Sequence, residues 1–119
     1  MKKSVSYMAL AMALPLGGWF FHNHLTKSVP AADASVKESP KQVRLWFNER
    51  PEVSFSSITV LGPDSTKLDV IGKAQATDDT LSVAADLTKP LAKGHYTIVW
   101  RTAGKDGHAV RGRYGFSVE

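Results

Sequence analysis

Hydrophobic and polar residues alternate in short runs along most of this chain. In QVRLWF, residues 42–47, Val43, Leu45 and Phe47 fall on one side, and Arg44 and Trp46 on the other. A period of two marks a strand with one buried face. SITVLG repeats the pattern with Ile58 and Val60, KLDVIG with Leu68 and Val70, and TLSVAAD with Leu81, Val83 and Ala85. HYTIVWR continues it with Tyr96, Ile98 and Trp100, and RYGFSV with Tyr114, Phe116 and Val118. Turn residues punctuate these runs, notably Pro63 with Asp64 and Asp78 with Asp79. The polar, proline-punctuated stretch KSVPAADASVKESPKQ reads as an early edge strand and loop. From Leu25 onward no long 3.6-residue period appears. About seven short strands therefore predict an all-β, two-sheet sandwich. In LAKGHY, Leu91, Gly94 and Tyr96 stand at the spacing of a tyrosine corner, whose phenol bonds upstream backbone and locks a strand connection.

The first 21 residues break this pattern. Lys2 and Lys3 precede an apolar run from Met8 to Phe21, 14 residues long. That length is short for a membrane span and suits the core of a secretory signal. Residues 1–21 are thus expected to be a signal peptide, and residues 22–119 a single exported domain. Trp19, Phe20 and Phe21 stand where small residues usually precede a cut, so the alternative for 1–21 is an uncleaved anchor.

Length and charge then narrow the picture. The 119 residues allow one domain, and the absence of cysteine leaves it to its hydrophobic core rather than to disulfides. Lys2 and Lys3 supply two of the 15 basic residues against 11 acidic ones, so losing them lowers the net charge from +4 to +2. The remaining basic residues are scattered, which argues against nucleic acid as a partner.

The four histidines are His22, His24, His95 and His108. His95 precedes Tyr96 and so faces away from the core on a strand; it receives no role. Asp106 and His108 flank Gly107 in GKDGHAVRG, a turn between two strands. Such a turn can aim a carboxylate and an imidazole at one point, a donor set that suits Cu(II). The other reading of this tripeptide is a hairpin turn with an incidental histidine. Removing residues 1–21 would leave His22 first, offering its α-amine and imidazole as one chelate. With Asp106 and His108 this gives three nitrogens and one oxygen. His24 opens an alternative, because a histidine in third position can wrap copper locally with two deprotonated backbone amides.

HNHLTKSVPAADASV, VRLWFNE, LAKGHYTIVWR and DGHAVRGRYGFSV resemble the periplasmic copper-resistance protein family CopC. The resemblance runs from His22 to Glu119. It implies a Greek-key, immunoglobulin-like β-sandwich in the periplasm. It also implies one Cu(II) per mature chain, held by His22, Asp106 and His108. Phe47 and Glu49 match the family's Phe-x-Glu, which places Glu49 near the metal. Some members add a methionine-rich loop for Cu(I). Here Met1, Met8 and Met12 all lie in the leader, so no dedicated Cu(I) site is expected. Pro51 departs from the family's plain strand and is expected to end a strand or force an edge bulge.

Three function classes follow. The first is a monomeric, non-enzymatic Cu(II) binder that sequesters copper or passes it to an inner-membrane copper transporter. The second is a copper oxidoreductase built on a histidine brace. Asp106 counts against it, because an anionic fourth ligand fills the position oxygen would take and favours Cu(II). The third is a metal-free interaction module, which would need neither His22 nor the Asp106–His108 pair.

Overall fold

The computed structural model describes residues 23–119; the expected signal segment and His22 lie outside the described residues. Nine strands are present among these residues: β1 (Leu25–Val29), β2 (Ser35–Val36), β3 (Gln42–Phe47), β4 (Ser57–Leu61), β5 (Lys67–Leu68), β6 (Gln75–Ala76), β7 (Ser82–Asp86), β8 (Gly94–Ala103) and β9 (Ala109–Val118). A single 3-10 turn, Val53–Phe55, precedes β4. The strands form two sheets, ordered β1-β3-β7-β6 and β2-β9-β8-β4-β5. The chain passes repeatedly from one sheet to the other, as a Greek-key sandwich requires.

Alternation places the core between the sheets. Val43, Leu45 and Phe47 of β3 face Ile58 and Val60 of β4, Tyr96, Ile98 and Trp100 of β8, and Phe116 and Val118 of β9 in one buried cluster. The Phe47 and Trp100 rings meet edge to face, 5.2 Å between centroids, and so join the sheets at one end of the sandwich. The tyrosine corner forms: the Tyr96 hydroxyl donates to the Ala92 carbonyl at 2.7 Å. His95 is exposed, and its Nδ1 pairs with Ser117 Oγ at 3.1 Å on the outer face.

Three details differ from the pattern. Leu81 lies just before β7 and is 40% exposed, whereas Ser82, Val83, Ala84 and Ala85 are all buried. Strand β7 is central in its sheet and covered on both faces, so the period of two is lost there. Pro51 neither ends a strand nor makes a bulge, because β3 stops at Phe47 and Pro51 is buried in the loop beyond it. The strand count exceeds seven by two: the early edge stretch divides into β1 and β2, and β6 was not expected; KLDVIG contributes only Lys67–Leu68.

One end of the sandwich matters for function. The longest ladder joins β8 to β9 without interruption, from Gly94 opposite Val118 to Ala103 opposite Ala109. Its turn, residues 104–108, projects beyond the sheet. Beside it lie the start of β1 and the end of β3, since Leu25 pairs with Phe47. The loop after β3 reaches the same place, where the Glu52 N–H donates to the Ala103 carbonyl at 2.9 Å. Ser56 and the fully buried Thr102 share a hydroxyl contact of 2.7 Å that fixes the 3-10 turn to β8.

Candidate metal centre

The β8–β9 turn is built from local chemistry. The Gly107 N–H donates to the Gly104 carbonyl at 2.9 Å, closing a four-residue turn. Gly107 has φ +81°, a backbone conformation that suits glycine and strains other residues. It lets the chain reverse so that Asp106 and His108 project on the same side.

Asp106 holds His108 by two hydrogen bonds. The His108 N–H donates to Oδ1 at 3.0 Å, and the imidazole Nδ1 lies 2.9 Å from Oδ2. Side-chain donation from His108 is the main reason the Asp106 carboxyl sits below the usual carboxylate range; its backbone donation adds to this. An ionised carboxylate only accepts, so Nδ1 carries the ring proton in this pair. In a neutral ring so oriented, Nε2 would keep the lone pair through which imidazole ligates metals. A carboxylate on the other ring nitrogen also fixes ring orientation and raises ligand basicity. Both side chains are well exposed, which leaves them accessible to an incoming ion.

The start of the described chain lies against this turn. Asn23 is only 6% exposed. A Cβ placed on Gly104 would lie 3.4 Å from Asn23 Nδ2 and 3.7 Å from Asp106 Oδ1. Asn23 and Asp106 therefore flank the same small patch of backbone. His24 is exposed, and its backbone is fastened to the end of β3. The His24 N–H donates to Asn48 Oδ1 at 2.6 Å, and the Asn48 N–H donates to the His24 carbonyl at 3.1 Å. Glu49 is exposed in the following loop. It lies between Asn48, bonded to His24, and Glu52, bonded to Ala103.

Of the residues singled out in the sequence, Asp106 and His108 are brought together. Glu49 and His24 lie on loops and strand starts at the same end of the sandwich. His22 lies outside the described residues, and its place in the site is therefore an expectation. Among the described residues, no group of three or more His, Cys, Asp or Glu side chains is assembled that could hold a metal ion. The described half of the donor set nevertheless fits Cu(II): one imidazole nitrogen and one carboxylate oxygen, both accessible. Asn23, Asn48 and Gly104 escaped the sequence reading. HNH carries no local signal that its asparagine is buried, because that burial depends on the far end of the chain.

The CopC domain family model matches residues 25–119. The chain belongs to the CopC family. It is 34% identical over 98 residues to Protein YobA of Escherichia coli strain K12, covering 82% of this chain and 79% of YobA. It is also 31% identical over 99 residues to the copper transport protein CutJ of Bacillus subtilis strain 168, covering 83% of this chain but 18% of CutJ. Among solved structures it resembles PcoC, a methionine-rich copper resistance protein from Escherichia coli. The TM-score is 0.74 at 30% identity, covering 83% of this chain and all of PcoC. This CopC-family chain differs from PcoC in methionine content: its three methionines all fall within the first 12 residues.

Proposed function

We propose that this chain is an exported, periplasmic Cu(II)-binding protein that holds one copper ion per mature chain for copper resistance or transfer. The observation that carries the reading is the Asp106–His108 pair on the β8–β9 turn, with Asn23 packed against the same turn at Gly104. Asn23 follows His22 directly. Removal of residues 1–21 would bring the His22 amine and imidazole into reach of Asp106 and His108 and complete a set of three nitrogens and one oxygen. Glu49, on the adjoining loop, contributes negative charge nearby rather than a ligand. No bond-making step is required of the protein: it binds the ion and releases it.

The His24 alternative is disfavoured by the hydrogen bonding of its backbone. Local wrapping would require the His24 amide to lose the proton it donates to Asn48 Oδ1. The long-range site requires no such loss. The CopC-like stretch of CutJ occupies a small part of a longer copper transport protein. That arrangement supports transfer of copper from this domain to an inner-membrane transporter.

The test is Cu(II) titration of the mature chain beginning at His22, with its mass measured to fix the N-terminus. One tightly bound Cu(II) is expected, and blocking the α-amine by acetylation should weaken it by orders of magnitude. Equal binding by the acetylated chain would remove His22 from the site. Peroxide-driven turnover by the loaded protein would favour a copper oxidoreductase instead.

A further inference from the structure

The register of β8 and β9 gathers three arginines that stand apart in the sequence. Arg101 lies directly opposite Arg111, and Val99 lies opposite Arg113. Tyr96, Ile98, Trp100 and Phe116 face the core, so the alternate positions Arg101, Arg111 and Arg113 share the outer face of the sheet. All three are exposed. Arg113, two positions along from Arg111, is the diagonal neighbour of Arg101. Strands β4, β8 and β9 hold no Asp or Glu. Among the described residues, none of the three guanidinium groups has an ion-pair or ring partner. Arg44, on the other sheet, is the contrast: it pairs with Asp78 at 2.9 Å and lies 4.6 Å over the Trp46 ring. Like charges directly opposed across a ladder destabilise it. The cluster is therefore a local cost to the fold, with no counter-charge on its own strands.

We propose that this outer face of β8 and β9 docks a protein partner through a carboxylate-bearing surface on that partner. Guanidinium forks match carboxylates two bonds at a time, and arginine is enriched at protein interfaces where lysine is depleted. The half-buried Thr59 and Val99 are paired beside Arg113, so small side chains lie among the arginine stems as contact surface. A lipid surface fits less well. The exposed large hydrophobic side chains are Val29, Phe55 and Leu81, and none of them belongs to β8 or β9. These strands thus offer no apolar anchor to enter a bilayer. The Arg101–Arg111 pair is the second outward pair from the 104–108 turn, after Ala103 and Ala109. A partner seated here would lie beside that turn, and its carboxylates would supply the counter-charge that the strands lack. Docking requires no bound copper, so it stands apart from the Cu(II) reading.

The double variant Arg101→Gln, Arg111→Gln separates docking from folding. The probe is poly-L-glutamate, titrated into the metal-free purified protein at low ionic strength and mapped by amide chemical shifts. Shifts should concentrate on β8 and β9, and the arginine variant should weaken binding about tenfold. The control, Lys89→Gln with Lys93→Gln, removes the same charge from exposed residues before β8, at the end away from the turn. It should keep the affinity within about twofold. The arginine variant should also hold or raise Tm at low salt, and the difference should shrink as salt screens the opposed charges. Absence of polyglutamate binding overturns the proposal. Equal weakening in the arginine and lysine variants reduces the effect to net charge and overturns it too. So does a fall in Tm of the arginine variant, which would make these arginines part of what holds the fold. Vesicles of phosphatidylglycerol and phosphatidylethanolamine are the second probe: binding to them that is lost in the arginine variant assigns the face to lipid and overturns the protein partner.

Discussion

Asp106 grips His108 at two points, accepting its backbone N–H on one carboxylate oxygen and facing its imidazole Nδ1 with the other, at 3.0 and 2.9 Å. The pair is formed across a single glycine, so the turn itself supplies the alignment. The turn is anchored by the long β8–β9 ladder, and the Phe47–Trp100 contact packs the two sheets together near that end. The strands thus present a carboxylate and an imidazole together at an open edge.

The glycines of β9 and its turn should separate stability from binding. A Cβ on Gly112 would lie 2.5 Å from Trp100 Cζ2, inside a packed ring. Gly112→Ala is expected to cost about 1–3 kcal/mol through overpacking. Gly107 has open space around it but a positive φ. Gly107→Ala is expected to cost about 1 kcal/mol in backbone strain and to disturb the Asp106–His108 alignment. Thermal melts and Cu(II) titrations of both variants check this. Gly112→Ala should lose more Tm and Gly107→Ala more copper affinity; the reverse order would mean that the turn does not align the ligands.

The stoichiometry should be one Cu(II) per mature chain, with no second copper retained as Cu(I). The chain has no cysteine, and its methionines all lie within the first 12 residues, so soft donors are missing from residues 22–119. Titration under ascorbate with a Cu(I) competitor measures this. Tight Cu(I) retention at a separate site would refute the ligand argument.

Much of this was legible in the sequence. The strands with one buried face announced themselves by alternation, as β3, β4, β8 and β9 do. The turn at Asp106–His108 was legible because its chemistry is local, a carboxylate and an imidazole about one glycine. Strand β6 was not, and KLDVIG gave only the two residues of β5, because two residues carry no period and form only where a longer neighbour supplies hydrogen bonds. Leu81 misled the reading because a central strand buried on both faces no longer shows which side its flanking residues take. Asn23 was illegible for a different reason: it is buried in the fold beside Gly104, which lies near the opposite end of the sequence.

Copper binding should weaken on acidification in a particular order. Amine and imidazole ligands in general take up protons between about pH 8 and 6, and metal must displace those protons. Asp106 behaves otherwise. Donation from His108 lowers its pKa, so the carboxylate remains ionised as pH falls through the ordinary carboxylate range near about 3.9. Its favourable contact is fully present above that range and is lost only as pH drops through the lowered value. Affinity should therefore fall between about pH 8 and 6 through the nitrogen ligands, with Asp106 protonating last. A dissociation constant that is flat from about pH 8 to 5 would contradict a nitrogen-rich site.

The most direct measurement is the Cu(II) electron paramagnetic resonance spectrum and affinity of His108→Ala beside His24→Ala, both on the mature chain beginning at His22. The long-range site predicts that His108→Ala weakens binding by orders of magnitude and changes the spectrum, while His24→Ala matters far less. Loss of the native signal in His24→Ala, with His108→Ala unchanged, would contradict the account and place copper in a local wrap of residues 22–24.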